Sequence, residues 1–179
     1  SNNLLNELFT DILEFNSKAT RQLLIVEDNE VESAQIVKLL QEETIEITVA
    51  KSGEKALEIL HEKTFDTVIL DYNLSDISGM ELIKKMKHER NVLVPIIIYS
   101  AKDFSKQELS QLSKLSSSII LKDVNSLDRL LEEAMLFLHV NYSSFPLEKR
   151  RMMENIRMKG DILSGKKVLV VDDDVRNLF

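Results

Sequence analysis

Residues 67–79 read TVILDYNLSDISG. Thr67, Val68, Ile69 and Leu70 form a short, β-branched apolar run that stops on a carboxylate, Asp71. A run of this length and composition predicts a strand. It shows no polar alternation, as expected of a strand covered on both faces in a parallel sheet. Working outward, the same unit recurs. Leu23-Leu24-Ile25-Val26 precedes it, residues 45–49 lie between, and residues 94–99 and 119–121 follow. Only 45–49 alternates, with Ile45, Ile47 and Val49 against Glu46 and Thr48, which predicts a half-exposed strand. The intervening segments carry apolar residues at helical spacing: residues 31–40, 56–60 after Ser52-Gly53, 80–86, a weak serine-rich stretch at about 105–113, and 127–138. Five β-α units in strict alternation predict an α/β, doubly wound parallel sheet with right-handed crossovers. Sites in such sheets lie at the carboxyl ends of the strands, near the point where strand order reverses.

The composition narrows the chemistry. The 179 residues include no cysteine, which excludes disulfides, thiolate zinc sites, iron–sulfur clusters and cysteine nucleophiles. It also suits a reducing, cytoplasmic setting. A net charge of −7 disfavours nucleic acid as a partner. The longest apolar stretch, residues 92–99, has eight residues and contains Pro95, far short of the ~18 needed to span a bilayer, so no membrane contact is expected of this piece. No G-x-G-x-x-G or G-x-x-x-x-G-K-[ST] is present, which removes the usual nucleotide cradles.

Collecting the strand ends gives a constellation. The first strand ends at Glu27-Asp28, the third at Asp71, the fourth at Ser100 and the fifth at Lys122. Carboxylates ~4 Å apart repel by roughly 4 kcal/mol near a protein surface, so three of them at one rim call for a cation. Hard oxygen donors suit Mg²⁺, which takes one or two carboxylates together with waters and a phosphoryl oxygen. A carboxylate beside that ion is a competent nucleophile toward phosphorus, and a lysine and a hydroxyl would bind the remaining phosphoryl oxygens.

These residues, in LLIVEDNE (23–30), VILDYNLSDISG (68–79), PIIIYSAKD (95–103) and SIILKDV (118–124), resemble the receiver (response-regulator) domain of two-component phosphorelays over about residues 21–140. The resemblance implies a flavodoxin-like sheet of order 2-1-3-4-5 and a domain that takes a phosphoryl group from a histidine kinase or phosphotransfer domain, in cis or in trans. It implies Asp71 as phosphoacceptor, with Mg²⁺ on Glu27, Asp28, Asp71 and the backbone carbonyl of Asn73. It further implies Ser100 as switch hydroxyl and Lys122 as phosphoryl-binding lysine. Phosphotransfer in such a domain is self-catalysed. Three positions depart from the family's pattern: Ser75 and Asp123 replace customary prolines, and Ile119 replaces the aromatic three residues before the lysine. The departures bear on the output switch and leave open an alternative, a degenerate receiver serving as a phosphorylation-independent docking module. A dehalogenase-type phosphatase would need a second aspartate where Asn73 stands.

The flanks supply context. Residues 2–15 set Leu4, Leu5, Leu8, Phe9, Ile12 and Leu13 on one helical stripe, and a second helix is expected from Pro146 to about Met158, with Lys149, Arg150 and Arg151 on a solvated face. Residues 167–179, KVLVVDDDVRNLF, repeat residues 22–34, QLLIVEDNEVESA, at an offset of 145. Together with DISG, YSAKD, LFLH and LSGKKVLVVDDDVRN, this is similar to tandem receivers at the carboxyl end of hybrid histidine kinases. The expected organisation is an amphipathic helix or linker (1–20), a receiver (21–140), a helical linker (141–165) and the first strand of an adjacent receiver (166–179) within a longer chain. That unpartnered strand invites a homodimer. His61, His88 and His139 are expected on helix surfaces. His88-Glu89-Arg90-Asn91 only briefly resembles a kinase phosphoacceptor box.

Overall fold

A computed structural model describes residues 20–88 and 94–140, together with 145, 147, 149–151 and 154. The described residues through Val140 belong to one compact unit and those from Phe145 onward to another. In the second, Leu147, Lys149, Arg150, Arg151 and Glu154 are helical, in keeping with the helix expected after Pro146. The stripe at 2–15, the repeat at 166–179 and the dimer it invites fall outside the described residues.

The first unit is built from β1 (Arg21–Val26), α1 (Glu30–Leu40), β2 (Ile45–Ala50), α2 (Gly53–Glu62), β3 (Thr67–Leu70), α3 (Gly79–His88), β4 (Ile96–Ser100), α4 (Lys106–Leu112), β5 (Ser118–Leu121) and α5 (Ser126–Leu138). The strands form one parallel sheet in the order β2-β1-β3-β4-β5. β1, β3 and β4 are interior strands, and Leu23, Leu24, Ile25, Val26, Val68, Leu70, Ile97 and Ile98 have no exposed surface. Each such side chain contributes about 1.5–3 kcal/mol by leaving water. β2 is an edge and carries partly exposed residues, as its alternation predicts. β5 departs from expectation. Its continuous run suggests cover on both faces, yet it is the other edge; only Ile120 is buried and Leu121 is exposed.

Successive side chains of a strand face opposite sides. Leu24, Val26, Val68, Leu70, Ile96 and Ile98 pack in one layer with Ala56 of α2, Leu82, Ile83 and Met86 of α3 and Leu112 of α4. On the other side α1 packs on α5, which also covers β3 and β4. The short α4 is held by a capping box in which Ser105 and Glu108 exchange hydrogen bonds. Gly79, at the start of α3, lies so close to Tyr72 that a Cβ there would stand 2.8 Å from the Tyr72 Cα.

The chain crosses from β1 outward to β2 and then returns to β3 on the other flank of β1. The strand order therefore reverses between the carboxyl ends of β1 and β3, which is where an open α/β sheet leaves a crevice.

Candidate functional site at the carboxyl rim of the sheet

The sheet ladder continues one residue beyond several strands and thereby fixes the backbone of the site. Asp71 N–H donates to the Val26 carbonyl (2.9 Å), Glu27 N–H to Ala50 (3.0 Å) and Lys122 N–H to Ser100 (2.8 Å). Glu27 and Asp28 follow β1, Asn29 caps α1 through its side chain, Asp71 follows β3, Ser100 ends β4 and Lys122 follows β5. All lie at the rim expected from the sequence.

The Lys122 ammonium gathers the carboxylates. Its Nζ lies 3.1 Å from Glu27 Oε2, 3.1 Å from Asp71 Oδ2 and 2.5 Å from Glu32 Oε2. It also lies 5.1 Å from the centre of the Tyr99 ring. Carboxylate oxygens of Glu27, Asp28 and Asp71 lie within 4.8 Å of one another. One ammonium pairs with three carboxylates, Glu27, Asp71 and Glu32, and Asp28 stands beside them, so the cluster is under-neutralised. Burial, followed by the Asp71 charge, pushes the Glu27 carboxyl above its ordinary value despite the lysine. Burial alone would lower the Lys122 pKa, but the bond to Glu32 and the charges of Asp71 and Glu27 outweigh it and raise the pKa. Three hard oxygen donors around a partly neutralised crevice fit a small divalent cation such as Mg²⁺.

The remaining expected residues are placed less directly. Asn73 contributes its N–H, which donates to Asp71 Oδ1 at 3.1 Å. Ser100 is fully buried, and its hydroxyl accepts the Lys102 N–H at 3.2 Å. Lys102 reaches Glu108 (2.8 Å) and lies 4.9 Å from the Tyr72 ring centre. The bond from Lys102, then those from Ser105, outweigh the effect of burial and hold the Glu108 carboxyl down at about 2.

Glu32 was not among the residues marked by sequence. It stands in the first turn of α1, where an acidic residue already has a routine reason to be, since it complements the helix dipole.

The departures from the family's pattern acquire local roles. Ser75 N–H donates to Asp28 Oδ2 at 2.9 Å, a bond that a proline could not make. Asp123 turns the chain into α5: its Oδ1 accepts Asn125 N–H (2.9 Å) and its carbonyl accepts the Ser126 hydroxyl (2.7 Å). That hydroxyl has one proton, so the buried Tyr99 hydroxyl donates to it at 2.9 Å. Ile119 packs, partly buried, against the core. His61 and His139 are exposed as expected, His139 in a left-handed conformation that closes α5.

A parallel sheet of order 2-1-3-4-5, with an acidic triad at its switch point and a lysine over it, defines a flavodoxin-like α/β domain of the phosphate-signalling class. Residues 23–134 match the family model described as "Response regulator receiver domain", and the chain belongs to that family. It is 31% identical over 108 residues to the two-component response regulator ORR5 of Oryza sativa subsp. japonica, covering 59% of this chain and 81% of the relative. Among solved structures it is similar to the response regulator protein TrrA of Thermotoga maritima in complex with Mg(2+)-BeF. The TM-score is 0.58 and the identity 29%, covering 66% of this chain and 99% of that one. A Francisella response regulator receiver domain shares the fold, with a TM-score of 0.60 and 24% identity over 67% of this chain and 98% of that one. The chain is thus a receiver domain of two-component signal transduction, the kind of domain that accepts phosphoryl groups from histidine kinases. No described helix is long and apolar enough to cross a membrane.

Proposed function

We propose that Asp71 accepts a phosphoryl group from a phosphohistidine, with Mg²⁺ held by Glu27, Asp28, Asp71 and the carbonyl of Asn73. An Asp71 oxygen attacks phosphorus, an O–P bond forms, and the P–N bond breaks. The electron pair of that bond goes to the imidazole nitrogen, which takes up a proton. Bound Mg²⁺ supplies charge neutralisation for the transferring group. The Lys122 ammonium and the Ser100 hydroxyl receive the other phosphoryl oxygens, and the Asn73 N–H holds Asp71 in place. The observation that supports this reading is the meeting of Asp71 with an ammonium at 3.1 Å inside a triad whose oxygens lie within 4.8 Å. The likeness to a receiver solved with Mg(2+)-BeF adds to it.

Incubation with a small phosphodonor and Mg²⁺, read by intact mass, should phosphorylate the protein. Asp71→Asn should abolish this directly, and Asp28→Ala should do so by removing a metal ligand. Phosphorylation that persists in Asp71→Asn overturns the assignment. On the same reading the receiver (21–140) sits in a hybrid histidine kinase, followed by a helical linker and the start of a second receiver at 166–179. The strand-plus-acidic-pair repeat supports that arrangement.

A further inference from the structure

We infer that Glu32 is the releasable counter-ion of Lys122, which an incoming phosphoryl group must displace. The inference rests on Asp71 being the acceptor. An ammonium has three protons and no lone pair. In this structure the three face Glu27, Asp71 and Glu32, so none is left for the oxygens of a transferred group.

The three acceptors are not equivalent. The Glu27 side chain is 2% exposed and that of Asp71 10%, whereas that of Glu32 is 39% exposed. A carboxylate gives up its partner at least expense where water takes the partner's place; a buried one left unpaired is heavily penalised. Glu32 therefore yields. It also grips firmly until then, because α1 presents it. Asn29 Oδ1 accepts the Glu32 N–H at 3.2 Å, and Asn29 Nδ2 reaches Glu32 Oε1 at 3.4 Å. Both contacts come from the cap of the helix that begins directly after the acidic pair. A site whose ammonium is occupied binds a phosphoryl-like anion with affinity reduced by the fraction of time the ammonium is free.

The test is a titration with beryllium fluoride at saturating Mg²⁺, by calorimetry and ¹⁹F NMR, on wild type, Glu32→Gln, Glu30→Gln and Asp71→Asn. Glutamine matches glutamate in size and helix propensity, so α1 persists. Glu30 is the charge control: it lies two residues away and pairs with Lys51 instead. Glu32→Gln should tighten anion binding about two- to fivefold, the scale of releasing one partly exposed ion pair. Glu30→Gln should change it less than about twofold, and neither variant should bind Mg²⁺ alone more tightly. Equal affinities in Glu32→Gln and wild type, or equal gains in both glutamine variants, overturn the inference and leave the acceptor reading intact. Weaker anion binding by Glu32→Gln also overturns it, because Glu32 would then be holding the lysine in its productive place. A wild type that matches Asp71→Asn in binding no anion overturns the acceptor reading, and the inference with it.

Discussion

Replacing Lys122 with methionine removes the ammonium and keeps most of the unbranched side chain. Among the described residues, Glu27 and Asp71 make no other ion pair. Their oxygens and those of Asp28 lie within 4.8 Å of one another. Two full charges at that distance repel by about 3.5 kcal/mol at an effective dielectric of ~20. Breaking a buried pair by removing one partner typically destabilises by about 3–5 kcal/mol. Lys122 keeps 16% of its side chain exposed, so water relieves some of this. We expect Lys122→Met to lose about 2–3 kcal/mol at pH 7 without Mg²⁺, a fall in Tm of roughly 8–12 °C for a domain of this size.

The pH dependence carries the diagnosis. The Glu27 carboxyl sits above its ordinary value, so the folded state binds more protons than the unfolded one between those two values. Stability falls as pH rises through that window. Without the ammonium the window extends further upward, so the deficit of the variant should shrink as pH falls toward ~5. The Lys122 pKa is raised in the folded state, so its own contribution is fully present in wild type at both pH values. Mg²⁺ at a hundredfold excess over its Kd stabilises by about 2.7 kcal/mol if only the folded state binds it. It should bind the variant more tightly, and raise its Tm further, than it does wild type. Urea unfolding by circular dichroism at pH 5.5 and 7.5, with and without Mg²⁺, measures all three effects. A loss below about 1 kcal/mol at pH 7.5, or an equal loss at the two pH values, would show that Lys122 is not what neutralises the cluster.

Two further outcomes follow from the geometry. Gly79→Ala places a Cβ 2.8 Å from the Tyr72 Cα and ring, so it should destabilise by about 1–3 kcal/mol and slow phosphorylation of the adjacent Asp71; an unchanged urea midpoint would contradict this. With Ile119 in place of the family's aromatic, and Asp123 and Tyr99 both tied to Ser126, activation should move the β4–β5 region little; broad changes in amide exchange across residues 100–124 on adding Mg²⁺ and beryllium fluoride would refute it.

Periodicity made the architecture legible because the strands carry short apolar runs, continuous except in the alternating β2, and the helices carry apolar residues at helical spacing. β3 spans Thr67–Leu70 as its composition dictates, and the rim residues follow from where the strands stop. What composition could not distinguish was cover from edge: β5 is as apolar as β3, but its place in the strand order decides its exposure. Three members of the site, Glu27, Asp71 and Lys122, were legible as strand-end residues and meet directly. Glu32 was not, because a first-turn glutamate carries no mark of a tertiary partner ninety residues away. The N–H of Ser75 was equally hidden, since a motif compares side chains and that bond uses the backbone.

The Ser75 bond changes what the departures mean. Read as missing family residues, Ser75 and Asp123 suggest erosion of the receiver. In the structure each has taken up work that proline cannot do. Ser75 supplies a donor that fixes one oxygen of Asp28, and Asp123 supplies a carboxylate that accepts the Asn125 N–H at the entry to α5. An eroding site would retain carboxylates with nothing to hold them. Here each member of the acidic triad accepts a backbone N–H: Glu27 from Asn29, Asp28 from Ser75 and Asp71 from Asn73. Three mutually repelling carboxylates are thus oriented by three donors that survive any side-chain exchange short of proline. Orientation of the triad is the property that cation binding needs and that a docking module does not, which favours the phosphoryl-accepting receiver over the degenerate one.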